Sequence, residues 1–313
     1  MFHYYPPVDL YGQDAELRLL AALAAHLAEC SMIDVGAERG GLAEGMLDAG
    51  IEDLHAFEPH PENAAALRTR FVGDARVRVH EMAISDSDGS GSGKLRISTD
   101  PEGAPLHFGH TLLEPEDTDE IAWHQTLTVA RRSLGSLIDA GELPARVGIL
   151  KIDTEGHDLA VVRGMGSLQA DVVMVEHWSD LPKGLGRCPW TTRQMLDELV
   201  PRGFGHFAFV VHRAEFVTVK WDDGEVESGA MGNLVFLHDD VLPRLLPDVL
   251  ACAGSFAESA VALGQMYMYA ARDRLALVDE LAEAAEARLR ALELTTAKIE
   301  KQEAELERLR GRC

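Results

Sequence analysis

Residues 31–41 read SMIDVGAERGG, and this stretch predicts the fold of the chain. A short apolar strand ends in glycine, and a helical pattern starts near Gly40. A strand pattern at 54–57 then leads into a helix at 61–71, and alternating residues at 77–84 indicate a third strand. Strands that alternate with helices are typical of an α/β fold with a parallel, doubly wound sheet.

The second half of the pattern extends this sheet and then changes its direction. Apolar strands are predicted at 147–152 and 172–176, and three later strands indicate an antiparallel edge at 206–211, 216–220 and 234–237. Further elements are predicted as strands at 94–98 and 126–129 and helices at 134–140, 158–163 and 191–200. Residues 99–125 have no clean period, so we expect a long loop there.

Four segments follow from these patterns: an N-terminal helical lead-in at 1–30, a Rossmann-like domain at 31–240, a helical connector at 241–272 and a coiled-coil tail at 273–313. The tail carries an apolar heptad seam through Val278, Ala285, Leu292 and Ile299. Sustained heptads favour a coiled coil, so we expect a homo-oligomer formed through the tail, with a single solvated helix as the alternative.

Composition excludes several classes of partner. The formal net charge of −23 disfavours nucleic acid and anionic membranes, because both repel an acidic surface. The four cysteines are scattered without a CxxC pair, which indicates reduced thiols. No basic, apolar leader and no uncharged apolar run long enough for a membrane span is visible, so we expect a cytoplasmic protein without a transmembrane segment.

The glycine turn after the first strand is a candidate ligand site. Asp34, Gly36, Ala37 and Gly40 surround a helix N-terminus, whose free N–H groups suit a carboxylate or a phosphate. A purely structural turn explains these glycines as well. Glu58 ends the second strand, where an acid can accept hydrogen bonds from both ribose hydroxyls of an adenosine cofactor. The acids around the turn favour S-adenosylmethionine over NAD, because its ammonium group needs an acceptor.

The end of the third predicted strand offers a place for the adenine ring. Ile84 could pack on the ring, and Asp86 could accept from the adenine amino group. A strand end followed by an Asp-Gly turn at Asp88 and Gly89 explains the same residues without a ligand.

The chain resembles the FkbM family of methyltransferases over roughly residues 31–237. The resemblance rests on four motifs in matching order and spacing: DVGAxxG from Asp34, FEPxP from Phe57, AISD from Ala83 and LKIDxEG from Leu150. It implies a class I fold, S-adenosylmethionine as cofactor, and O-methylation of a sugar, glycan or polyketide-type natural product. It also places Asp34, Gly36 and Glu58 at cofactor positions, with Ser85 and Asp86 near the base. Glu38 departs from the family, which commonly has asparagine there.

The catalytic residues are expected at the end of the 147–152 strand. Methyl transfer to an alcohol needs the acceptor aligned and its proton removed, and the candidates are Asp153, Glu155, His157 and His177. Asp153 could instead cap the following helix, and each histidine could be structural. A metal is a further alternative, with Mg²⁺ held by Asp153, Glu155 and either Glu176 or His177.

Two rival functions stay open from the sequence. One is an NAD-linked oxidoreductase, although the turn at Gly36 lacks the second glycine of a phosphate-cradling loop. The other is a noncatalytic scaffold, in which a Rossmann-like domain serves the coiled coil. The expected partner of an enzyme would be a small-molecule or saccharide acceptor.

Overall fold

The computed structural model describes residues 8–11, 15–25, 27, 30–115, 117, 121–178, 188–213, 216–220 and 231–241. The strands are β1 Val8–Tyr11, β2 Ser31–Val35, β3 Asp53–Phe57, β4 Val77–His80, β5 Ala83–Ile84, β6 Ser92–Thr99, β7 Ala122–Arg132, β8 Arg146–Ile152, β9 Gln169–Trp178, β10 His206–Arg213, β11 Phe216–Lys220 and β12 Met231–Leu237. The helices are α1 Ala15–Ala24, α2 Gly41–Asp48, α3 Pro61–Arg70, α4 Leu134–Asp139, α5 Asp158–Arg163 and α6 Thr192–Leu199, and a 3₁₀ turn covers Val200–Arg202.

Nine strands form one mixed sheet in the order β1-β11-β10-β12-β9-β8-β2-β3-β4. The run from β9 to β4 is parallel, and β12, β10, β11 and β1 pair with their neighbours in antiparallel fashion. The predicted parallel sheet with an antiparallel edge is therefore confirmed. The edge strand β1 was not expected from the sequence, which predicted a helical lead-in there.

The central strands have the composition that a two-sided burial requires. From Val147 to Ile152 every residue of β8 is buried, as expected for a parallel strand covered on both faces. One apolar core joins β2, β8, β9 and β12 to helices α4, α5 and α6. Capping fixes the starts of two of these helices: the Ser133 hydroxyl accepts from Ser136 N, and Thr191 and Gln194 form a capping box.

The strand predicted at 77–84 is two separate strands. Met82 N donates to His80 O, and this tight turn takes the chain out of the large sheet after β4. Ala83 and Ile84 then pair with β7 in a second, three-stranded sheet of order β5-β7-β6. This sheet has a small core of its own, formed by Ala83, Leu95, Ile97 and Val129 with Leu112 packed against it. The predicted loop 99–125 is shorter than expected, because β7 begins at Ala122.

Several predictions concern residues beyond the described ones. The helical connector and the coiled-coil tail, predicted from residue 241 onward, lie outside them apart from Val241 itself. Both stay predictions, as does the homo-oligomer through residues 273–313. Within the described residues, no helix combines the length and the apolarity that a bilayer crossing needs.

Candidate active site

A cavity of about 240 Å³ lies where the carboxyl ends of β2, β3 and β8 meet. Strands β2 and β8 are neighbours in the sheet but far apart in the chain, so the direction of winding reverses between them. Ligands of open α/β sheets bind at such a switch point. The three strand ends contribute the segments 34–38, 57–59 and 151–155 to the lining, although Ile152 stays behind the surface.

Gly36 joins the ends of β2 and β8. Its φ is +80°, and a Cβ added there would lie 1.7 Å from the carbonyl oxygen of Asp153. Asp153 N in turn donates to Val35 O at 2.9 Å. The glycine therefore lets the backbone after β8 approach, in addition to lining the cavity. Gly40, predicted at the cofactor, is not among the lining residues, and a Cβ there would meet Phe71 at 2.7 Å, so packing also requires glycine at this position.

Glu58 lines the cavity from the end of β3 and is only 5% exposed. Its carboxylate accepts from His60 N at 2.8 Å and from Glu38 N at 2.9 Å. Burial raises the pKa of this carboxyl to about 7, although the two N–H groups oppose the shift. Each carboxylate oxygen keeps a lone pair beyond these bonds, so the ribose role expected from the sequence fits the geometry.

Glu38 has an unusual backbone conformation. Its φ is +50°, in the left-handed region that favours glycine and asparagine. The strained residue presents its N–H to Glu58, and its side chain forms an ion pair with His107 at 3.3 Å. The asparagine common in the family would adopt this backbone at lower cost.

Lys151 is a site residue that the sequence interpretation missed. It lies in β8 directly beside Asp34 of β2, and its Nζ is 3.1 Å from an Asp34 oxygen, 3.4 Å from an Asp153 oxygen and 2.9 Å from Gly36 O. Burial lowers the pKa of the Lys151 ammonium, but the two carboxylates outweigh this and hold it above its usual range. The sequence feature that could have identified Lys151 is a single lysine inside an otherwise apolar strand, because a buried charge needs a partner.

Replacing Lys151 with methionine should lower the free energy of unfolding by about 3–5 kcal/mol, because the buried Asp34 carboxylate loses its cation. Urea unfolding at pH 7 measures the effect. The double variant Asp34→Asn/Lys151→Met, which removes both charges, should recover much of the loss. A single variant within 1 kcal/mol of the parent protein would contradict the assigned pairing.

Three carboxyl groups lie close together near the end of β8, and two of them, Asp153 and Glu155, line the cavity, whereas Glu176 does not. Asp153, Glu155 and Glu176 each place one oxygen within 4.8 Å of the other two. Glu155 has a φ of +54° and accepts from Gly109 N at 3.0 Å. Burial, followed by repulsion from Asp153, raises the pKa of Glu155 to about 8 and that of Glu176 well above its usual value. The predicted grouping of these acids is thus present in the structure.

The loop that carries Asp153 and Glu155 is held by hydrogen bonds to a buried acid. Asp158, at the start of α5, is fully buried and accepts from Gly156 N at 3.1 Å and from Thr154 N at 3.3 Å. Burial raises the pKa of this carboxyl to about 7. These bonds shape the segment that carries Asp153 and Glu155, so Asp158 has a positioning role.

The two histidines predicted as bases differ in position. His157 lines the cavity, and its Nε2 lies 2.9 Å from Ser85 Oγ. His177 lies outside the lining, with its ring 4.5 Å from that of Trp190 and its Nε2 3.5 Å from Thr192 Oγ1. Burial lowers the pKa of His177 to about 4. The structural alternative therefore describes His177 better than a catalytic role.

Ser85 and Asp86 also lie beside the cavity rather than in its wall. Ser85 is buried and bonds His157, while Asp86 is exposed and lies within hydrogen-bond distance of Ser85 Oγ. Met82, Ala83 and Ile84 form the wall instead. The position of Ile84 in the wall fits the expected apolar contact with an adenine ring. Asp86, which was expected to accept from the adenine amino group, lies outside this wall.

A loop between β6 and β7 covers the cavity. His107, Phe108, Gly109 and His110 line it, and the loop is held by Asn63 Nδ2, which donates to His107 O at 2.8 Å. Trp123 Nε1 donates to Gly109 O at 2.8 Å, which fixes the same loop from the other side. His107 and His110 therefore lie over the site.

Counted in chain order, the five parallel strands β2, β3, β4, β8 and β9 are arranged 3-2-1-4-5 across the sheet, and the antiparallel β12 lies beside the fifth. The site combines a glycine turn after the first of these strands with an acid after the second. This arrangement is a doubly wound, Rossmann-like α/β fold with its ligand site at the switch point, as in class I methyltransferases. A family model, the methyltransferase FkbM domain, matches residues 34–203, which is more than half of the chain. The chain belongs to the FkbM methyltransferase family, and membership implies S-adenosylmethionine as the methyl donor.

Individual relatives are more distant. The hexuronic acid methyltransferase AglP of Haloferax volcanii is 25% identical over 170 residues, which cover 54% of this chain and 63% of AglP. This chain therefore spans less than two thirds of that relative.

Solved structures similar to this chain include an rRNA methylase from Streptococcus thermophilus and an S-adenosylmethionine-dependent methyltransferase from Aquifex aeolicus. The first has 6% identity and a TM-score of 0.38, covering 72% of this chain and 97% of its own. The second has 10% identity and a TM-score of 0.33, covering 72% and 99%. Scores this low support no functional assignment.

Proposed function

We propose that this methyltransferase methylates a hydroxyl group of a saccharide. The observation that carries the proposal is the wall of the cavity, which the acids Asp153 and Glu155 line together with Glu58. Carboxylates accept hydrogen bonds from sugar hydroxyls. The name of the Haloferax relative points to the same class of acceptor.

The residues of the cavity suit S-adenosylmethionine. Glu58 would hold the ribose, Met82 and Ile84 would pack on the adenine, and the turn at Gly36 would hold the amino-acid end. The bound cofactor supplies an electrophilic methyl group on a sulfonium. Asp34, Glu38 and Glu58 together disfavour the pyrophosphate of NAD, which is why we set the oxidoreductase aside.

Asp153 is the residue that we assign to the acceptor proton. Its side chain is 37% exposed and lines the cavity, so a hydroxyl group can reach it. Lys151 Nζ lies 3.4 Å from one oxygen of Asp153, and the other oxygen is free of this contact. As the acceptor oxygen gains the methyl group, its proton passes to the Asp153 carboxylate. His157 is less suited to this task, because its Nε2 is engaged by Ser85.

Glu58→Gln should weaken binding of S-adenosylmethionine by about 10- to 150-fold at pH 8, which corresponds to about 1.5–3 kcal/mol for a hydrogen bond to a charged group. The pKa of Glu58 is raised to about 7, so its carboxylate is protonated at pH 6 and the difference should shrink there. The parent protein should therefore bind more tightly as pH rises from 6 to 8, while the variant stays flat.

Isothermal titration at pH 6, 7 and 8 measures these affinities, with the exposed Glu102→Gln as a variant of equal charge change. Absence of heat with the parent protein would overturn the proposed cofactor. A variant that keeps the slope with pH would remove Glu58 from the ribose site.

A further inference from the structure

We propose that Asp153, Glu155 and Glu176 bind a hard divalent cation, Mg²⁺ or Mn²⁺, beside the part of the cavity wall that Asp153 and Glu155 form. The three residues come from different places: the end of β8, the loop that follows it, and β9. One carboxylate oxygen of each lies within 4.8 Å of the others, which is a spacing that one ion can bridge. Binding of the ion is independent of the proposed function, and only its role in catalysis rests on it.

Unpartnered buried oxygens give independent support. Glu176 is 9% exposed, and its Oε2 is buried without a hydrogen-bond partner in the described part of the chain. The same holds for Oε2 of Glu155, whose other oxygen takes the N–H of Gly109. A buried carboxylate oxygen without a donor is costly, and coordination of a metal is one of the few ways to satisfy it.

The lysine of the site pairs with other acids. Lys151 pairs with Asp34 and Asp153, and Asp158 is satisfied by two backbone N–H groups. Among the described residues, no Lys, Arg or His side chain forms an ion pair with Glu155 or Glu176. Glu155 and Glu176 thus have no cationic side chain as a partner in the part of the chain that the structure describes.

The donor set selects the kind of ion. Three carboxylates without sulfur or imidazole suit Mg²⁺ and Mn²⁺, whereas zinc prefers nitrogen and sulfur ligands. Of the two ligand sets that the sequence allowed, the structure supports the one with Glu176, since His177 lies away from the cluster against Trp190. If the proposed function holds, the ion would bind the acceptor hydroxyl and ease the loss of its proton.

Titration of Mn²⁺ into the full chain, followed by electron paramagnetic resonance of the free ion, tests the site without cofactor or acceptor. We expect one bound Mn²⁺ that Mg²⁺ displaces. Glu176→Gln should weaken the binding at least about tenfold, and Glu155→Gln should do the same, since each removes a charged ligand. Glu102→Gln, on an exposed turn, should bind as the parent protein does.

The proposed site would be overturned if the parent protein bound no Mn²⁺, or if both glutamine variants bound Mn²⁺ as tightly as the parent protein does. Far-UV circular dichroism confirms that each variant is folded, and the two variants check each other. Failure here is distinguishable from failure of the proposed function. If the parent protein binds no Mn²⁺ but binds S-adenosylmethionine and transfers methyl groups in EDTA, the metal site falls and the methyltransferase stands. If Mn²⁺ binds but S-adenosylmethionine does not, the reverse holds.

Discussion

Gly36→Ala is expected to lower the free energy of unfolding by about 2–5 kcal/mol. The new Cβ would lie 1.7 Å from the carbonyl oxygen of Asp153, so the ends of β2 and β8 must separate. Crowding of this kind costs about 1–3 kcal/mol, and the left-handed backbone at φ +80° adds about 1–2 kcal/mol for any residue with a Cβ. Binding of S-adenosylmethionine should fall with it, because both sides of the cavity depend on this junction.

Gly41→Ala is the matched control for this prediction. Gly41 is the first residue of α2 and also lines the cavity, but a Cβ there meets nothing within 4 Å. Its backbone is not left-handed, so alanine should be neutral or slightly stabilising. Urea unfolding of both variants gives the comparison. If the two alanines have the same effect, the close approach of β8 is not what requires glycine at position 36.

The large sheet was predictable because its strands are marked by composition. Residues 147–152 and 172–176 are almost wholly apolar, which is the pattern of strands buried on both faces. The strands of the second sheet were predicted only in part, at 94–98 within β6 and at 126–129 within β7. In β7 the side chains from His124 to Thr128 are exposed, and β5 has only two residues, so neither shows a clean period. Pairing of β5 with β7 depends on residues nearly 50 positions apart.

The site was predictable where it lies at strand ends. Glu58 and Asp153 directly follow apolar strands, and parallel strands bring such ends together. Contacts supplied by the covering loop could not be found in this way. Gly109 N donates to Glu155 and Asn63 holds His107, yet no periodic pattern relates a loop residue to a strand end 46 positions away.

Lys151 was missing from the predicted site for a different reason. Its position in the LKIDTEG segment was visible, but interpretation centred on the acids that follow it. A lysine in the middle of an apolar strand must have buried partners, and the neighbouring strand supplies Asp34 at the same register. This pairing turns Asp34 from a predicted cofactor ligand into a residue that also holds β2 and β8 together.

Asp153→Asn should slow methyl transfer by about 10²- to 10⁴-fold, the usual contribution of a positioned general base. Asparagine keeps the size of the side chain but cannot take the acceptor proton. Lys151 still pairs with Asp34 in the variant, so we expect the fold and the affinity for S-adenosylmethionine to change little. The rate and the affinity therefore separate, which a residue needed only for structure would not produce.

Single-turnover transfer of a labelled methyl group from S-adenosylmethionine to a panel of hexuronic acid glycosides measures the rate. Titration calorimetry on the same preparations measures the affinity, and the exposed Glu102→Gln serves as the control. If the variant transferred methyl groups within threefold of the parent rate, Asp153 would not be the residue that takes the acceptor proton. That result would favour a structural role for the acids of the cavity wall. Loss of both rate and cofactor binding would assign Asp153 to the cofactor instead, since its backbone already contacts Val35 and crowds Gly36.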